Sequence, residues 1–299
     1  MLTPKSVLLA TLILVTLAYA AVWIVTVRRQ RKGDAAPGAN GAAIGFLTNF
    51  FDTLGIGSFA TTTSIYRLRN LVRDEDIPGT LNVGHSLPTV AQALIYITIV
   101  QVDFRTLVLL IAASVAGSWL GAGVVAGLPR RRIQTGMGLA LLGAAVLMAL
   151  SAAHTMPGGG NALALTGTKL VLGCVINFLL GALMTLGIGL YAPCMIMVSL
   201  LGMNPTAAFP IMMGSCAFLM PAASIRFIRA NKYDLRAAVG LALGGVPAVV
   251  IAAFIVRSLP LDYVRWLVIV VVVYTAATLL RSARREVSAA RGTTPTPAP

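Results

Sequence analysis

Thr53-Leu54-Gly55-Ile56-Gly57 recurs as Thr185-Leu186-Gly187-Ile188-Gly189. Each copy lies inside a long apolar run, where a pair of glycines is poorly suited to an unbroken helix. The flanks repeat as well. At a nearly constant offset Gly84 matches Gly214, Asp103 matches Asp234, Arg105 matches Arg236, and Leu128-Pro129 matches Leu259-Pro260. Residues 46–150 and 177–281 therefore read as two copies of one unit, and this duplication decides the architecture.

Around these copies the 299-residue chain is 58% hydrophobic and only 11% charged, with a mean hydropathy of +0.87. A soluble domain carries about twice that charged fraction. Apolar runs long enough to cross a bilayer recur from end to end, so the expected class is an all-α polytopic membrane protein. Cys174, Cys194 and Cys216 fall within apolar segments without metal-type spacing, and read as buried thiols rather than as a disulfide framework or metal site. The net charge of +14 comes from basic residues at the ends of apolar runs. That is the pattern of cytoplasmic loops, not of a nucleic-acid surface, and no nucleic-acid partner is expected.

Residues 1–32 read as an N-terminal transmembrane helix with a basic flank. Ala18-Tyr19-Ala20 resembles a signal-peptide cleavage site, but only Lys5 precedes the apolar core while Arg28, Arg29, Arg31 and Lys32 follow it. A retained helix with its N-terminus outside is expected. Residues 33–42 read as a linker, 43–153 as the first repeat, 154–166 as a connector and 167–281 as the second repeat. Residues 282–299 read as a basic, Pro/Thr-rich cytoplasmic tail without fixed structure.

The loop charges invert between the copies. In the first, Lys and Arg cluster before the glycine segment, after it (Arg67, Arg69, Arg73) and between the third and fourth segments (Arg130, Arg131, Arg132). In the second, the heavy positions are the alternate ones: Arg226, Arg229, Lys232 and Arg236, then the tail. Two inverted-topology repeats are expected, each a glycine-broken helical hairpin plus three spanning helices. A single helix over 167–202 would be about 54 Å long, against a hydrocarbon core of about 30 Å, so that run in particular must break.

Backbone broken at membrane depth is tolerated where it is buried in protein or lines a cavity, and half-helix N-termini favour anions. A substrate site is expected where the two breaks meet. The candidate residues are Thr53, Gly55, Gly57, Thr61, Thr62, His85, Thr185, Gly187, Gly189, Pro193 and Ser215. Glycines also serve close helix packing, and Ser or Thr hydroxyls often bond their own helix. No Lys or Arg falls inside an apolar segment, so an anion would be held by backbone donors and hydroxyls. Asp52 and His85 are the titratable groups at depth and the candidates for proton or ion coupling. Asp52 alternatively satisfies the N–H groups of its own hairpin. His154 falls in a loop.

The duplicated hairpin, the Asp103-Phe104-Arg105 and Asp234-Leu235-Arg236 starts, and the Leu128-Pro129-Arg130-Arg131-Arg132-Ile133 and Leu259-Pro260-Leu261-Asp262-Tyr263-Val264 ends resemble the TauE/SafE-type sulfite exporter family. The resemblance covers residues 41–281. Of that family's Gly-x-Gly-Gly-Gly hallmark, this chain keeps Gly55-x-Gly57 and Gly187-x-Gly189. The resemblance implies a secondary transporter, in the exporting direction, for sulfite or a small organosulfonate in a cell inner membrane, with no cofactor. The alternative is a permease for a cation, metal or other small anion that uses Asp52 and His85. No H-E-x-x-H or G-x-S-x-G motif points to an enzyme. Oligomeric state is not encoded in any motif.

Overall fold

The computed structural model describes residues 4–29, 38–54, 57–153, 155, 160–187, 189–255 and 262–292. Among them the regular structure is helical. The order is α1 (Pro4–Arg29), α2 (Ala39–Thr53), α3 (Ser58–Arg69), α4 (Ile77–Ile99), α5 (Phe104–Val125), α6 (Arg130–Ala152), α7 (Gly167–Met184), α8 (Tyr191–Leu200), a 3-10 turn (Pro205–Ala207), α9 (Ala208–Arg229), α10 (Leu235–Ile255) and α11 (Asp262–Gly292). Among the described residues, five stretches are long and apolar enough to cross a membrane: α1, α5, α7, the 3-10 turn continued by α9, and α10. The polar residues Asn82, His85 and Gln92 interrupt the apolar character of α4, which is nonetheless mostly buried.

Both glycine segments interrupt the helix. The first run divides into α2 and α3, the second into α7 and α8. At 12 and 10 residues, α3 and α8 are about 18 and 15 Å long, half of what a span requires. Gly57, at φ 81°, begins α3, and Gly187, at φ 97°, lies in the turn after α7. An L side chain pays for either backbone angle. The copies differ in detail, because Gly57 has a positive φ whereas its counterpart Gly189 does not. Gly55, Ile56 and Ile188 lie outside the described residues.

Each first half-helix packs on the third helix of the other copy: α2 on α10, and α7 on α5. Small residues set these approaches. A Cβ added to Gly244 would stand 1.9 Å from Ala42 O, and one on Gly117 1.9 Å from Phe178 O. Backbones this close gain van der Waals contact where apolar burial gives no net drive, as in lipid. At the centre α4 pairs with α9, and α6 pairs with α11. Gly84 abuts Leu241 of α10, and its counterpart Gly214 abuts Ile111 of α5. The N-terminal helix docks on α9 and α4, where Tyr19 Oη donates to Val83 O at 2.8 Å.

Two element boundaries differ from the sequence expectation. Helix α2 starts at Ala39, inside the expected linker 33–42, because Gly41 packs against Gly240. Helix α11 continues to Gly292, into the expected unstructured tail 282–299, and its Leu279 and Ala283 are buried. The end of that tail lies outside the described residues, as does His154.

The connections gather at two ends of the bundle. At one, Asp74 accepts both Arg67 Nη1 contacts (2.9 and 3.0 Å), Arg130 Nη2 (3.2 Å) and Gln134 Nε2 (2.8 Å), while Arg67 Nη2 reaches Ser282 of α11. Arg73 pairs with Glu75 beside it. At the other end, Asn204 N donates to Ala162 O at 2.8 Å, Gly160 N to Met203 O at 3.0 Å, Asp103 N to Leu163 O at 2.9 Å, and Lys169 Nζ to Leu201 O at 3.0 Å.

Candidate functional site

The two breaks meet at one small cavity of about 20 Å³. Asp52, Gly57, Ser58 and Phe59 line it from the first break and Met184, Gly189, Leu190 and Tyr191 from the second, with Thr89 of α4 and Cys216 of α9 between. The first turns of α3 and α8 thus face the same space. Its volume holds about one water.

Gly57 has no side chain with which to cap α3. Asp52 does so from across the break: its Oδ1 accepts from Ser58 N at 2.5 Å. Its Oδ2 accepts from Gln92 Nε2 at 2.8 Å and lies 3.2 Å from Tyr191 Oη. Gln92 Nε2 also donates to Thr53 Oγ1 at 3.0 Å, and Gln92 Oε1 accepts from Tyr191 Oη at 2.6 Å. Tyr96 Oη donates to the Thr53 carbonyl at 3.2 Å. Asp52, Gln92 and Tyr191 therefore tie α2, α4 and α8 together across the two copies.

His85 belongs to a second network beside this one. Asn49 Nδ2 donates to Gly45 O at 2.7 Å, so Asn49 Oδ1 is left to accept from His85 Nδ1 at 3.0 Å. His85 Nε2 then accepts from Thr62 Oγ1 at 3.0 Å, which describes a neutral ring with the proton on Nδ1. Ser215, the counterpart of His85, accepts from Asn177 Nδ2 at 3.0 Å, and that amide also donates to Leu110 O at 2.7 Å. Each copy thus joins its broken helix to its second helix through an asparagine.

Of the sequence candidates, Gly57 and Gly189 line the cavity together with Asp52. Thr53 stands one bond behind Gln92. Thr61 Oγ1 bonds carbonyls of its own helix, at Gly57 and Ser58, and Thr185 Oγ1 bonds Ala182 O. Thr62, His85 and Ser215 are buried in the helix contacts just described. Gly187 faces Leu81 and Met137, and Pro193 lies in the first turn of α8. Gly55 is outside the described residues. The sequence reading passed over Gln92, Asn49 and Asn177. Their signal was an amide inside an apolar run, where a donor or acceptor without a partner is costly.

Helices of spanning length, packed around a small cavity where two broken helices meet, define a multi-pass membrane protein. The family is more specific: the family model described as sulfite exporter TauE/SafE matches residues 1–148 and 169–299. The chain belongs to that family of membrane transporters. Neither the curated proteins nor the solved structures gave a match.

Proposed function

We propose that this protein is a secondary carrier that exports a small sulfur-containing anion, such as sulfite or an organosulfonate, by alternating access at the cavity between the two breaks. The observation that carries the reading is that cavity, lined by the first turns of α3 and α8 from both copies. Two helix N-termini aimed at one space offer N–H donors and partial positive charge to an anion. A space for about one water is too small for a sulfur oxyanion, so the closed form must part its hairpins to load.

The repeats are inverted in this reading. The contacts at the two ends of the bundle support it, because they separate the loops as opposite insertion requires. Residues 38–41, 66–80, 130–134, 226–236 and 282 gather at one end, and 98–103, 160–169 and 201–206 at the other. The first set holds nine arginines and the second none, which makes the first the cytoplasmic side of an inner membrane, with the N-terminus outside and the C-terminus inside. With the interior negative, each net negative charge leaving gains about 2.3 kcal/mol per 100 mV, so a dianion is driven outward even when one proton leaves with it.

Flux into and out of proteoliposomes tests the reading. Sulfite, thiosulfate, sulfate, sulfoacetate and taurine are offered in turn, under an imposed potential and then a pH gradient. At least one sulfur anion moves, and Gly57→Leu abolishes its movement, since a Cβ at Gly57 meets nothing within 4 Å and its side chain extends into the cavity. No movement of any of the five by correctly folded protein overturns the substrate class.

A further inference from the structure

The hydrogen bonds around Asp52 are one proton short. Gln92 Nε2 spends its two protons on Asp52 Oδ2 and Thr53 Oγ1. Tyr191 has one proton for two neighbours, Gln92 Oε1 at 2.6 Å and Asp52 Oδ2 at 3.2 Å. The shorter contact takes it, because two bare oxygens at that distance repel. Asp52 Oδ2 and Tyr191 Oη then face each other with no hydrogen between them unless the carboxyl supplies one. Turning the Gln92 amide over does not help, since its oxygen would then meet Asp52 Oδ2 and again require a proton on the acid.

We propose that Asp52 is a proton site: in the closed form its Oδ2 carries a proton donated to Tyr191 Oη, and this proton is a co-substrate that binds together with the anion. The proposal extends the carrier reading, on which its second half rests. The titratable groups facing Asp52 are Tyr96 of α4, Tyr191 of α8 and Cys216 of α9, with Cys194 behind the last. Among the described residues, those lining the cavity include no Lys or Arg. An anion entering beside an ionised Asp52 would place two negative charges in one small space of low dielectric, without a counter-charge. A neutral carboxyl removes that repulsion and adds a donor. When the hairpins part, Tyr191 leaves Asp52, water enters, and the proton can exchange with solvent on the open side.

Infrared difference spectra of the protein in liposomes, taken through a pH titration, read the proton directly. Wild type shows a protonated-carboxyl band at neutral pH that Asp52→Asn lacks. Absence of any Asp52-dependent band overturns the assignment. Tyr191→Phe lowers the midpoint of that band by roughly one pH unit, because the lost oxygen served the neutral acid. A midpoint that rises would mean that Tyr191 donates to a carboxylate, and the proposal fails. The co-substrate role is read with a pH dye inside the vesicles under a sulfite gradient, after subtracting the signal of protein-free liposomes. Wild type moves protons with the anion, and any flux left in Asp52→Asn moves none. Anion flux without proton flux in wild type overturns the co-substrate half. No anion flux at all overturns the carrier reading instead, and the spectra still decide the proton on Asp52.

Discussion

Replacing Gly244 by alanine tests how closely α2 and α10 approach. A Cβ there would stand 1.9 Å from Ala42 O and 2.8 Å from both Ala42 C and Phe46 N. All three are backbone atoms and cannot rotate aside. To reach even 3.0 Å the axes must part by about 1 Å, along an interface that also holds Gly41, Gly45 and Gly240. Overpacking of this kind costs about 1–3 kcal/mol. Alanine returns about 0.5–1 kcal/mol through helix propensity, so the net loss is smaller than the clash. Gly143→Ala in α6 isolates the two effects, because a Cβ there meets nothing within 4 Å. It keeps the propensity gain without the clash. Thermal unfolding in detergent should place Gly244→Ala below wild type and Gly143→Ala level with it or above. The two variants then differ by the clash alone, about 1–3 kcal/mol. Equal melting temperatures would refute the close approach of α2 to α10. Flux through Gly244→Ala should also fall, because Asp52 rides on the displaced helix.

Asn49→Leu leaves His85 Nδ1–H without its acceptor and should cost about 1–3 kcal/mol of stability, read from the same melting curves. Asn177→Leu removes the matching bonds to Leu110 O and Ser215 in the second copy. The double variant should show nearly additive losses, since the two networks share no partner. Cys216 is 1% exposed and lines the cavity, whereas Cys174 is half-buried on α7. A membrane-permeant thiol reagent should label Cys174 at a constant rate and Cys216 only while the transported anion is cycling. Labelling of Cys216 at the same rate with and without that anion contradicts alternating access.

The helical class could be read from the sequence because its signals are local and strong: apolar length, and glycine pairs that a continuous helix disfavours. The breaks at 54–57 and 185–190 fall where those glycines fall. The ends of elements were harder. Ala39–Ala42 look like linker until Gly41 meets Gly240, and Arg281–Gly292 look like tail until Ala283 is buried. The cavity lining was only partly visible. Asp52 and Gly57 stand out by type and position, but Gln92 and Tyr191 acquire meaning only when folding brings residues 99 apart within 2.6 Å. Thr61 and Thr185 misled because a hydroxyl in an apolar helix has a partner in its own preceding turn, which composition does not reveal.

The two ends of the bundle are fastened by forces of different reach. Around Asp74 the fastening is between full charges, and Coulomb attraction extends over about a Debye length, 8–10 Å in physiological salt. At the opposite end it consists mainly of backbone hydrogen bonds, such as Asn204 N to Ala162 O, which act only at contact. An ionic door is drawn shut from several ångströms away, whereas a door of backbone bonds must find its register before it holds. For the proposed carrier, the expected outcome is that a gap on the Asp74 side closes sooner than one on the Ala162 side. A carrier of that kind would rest closed on the ionic side with no ligand bound.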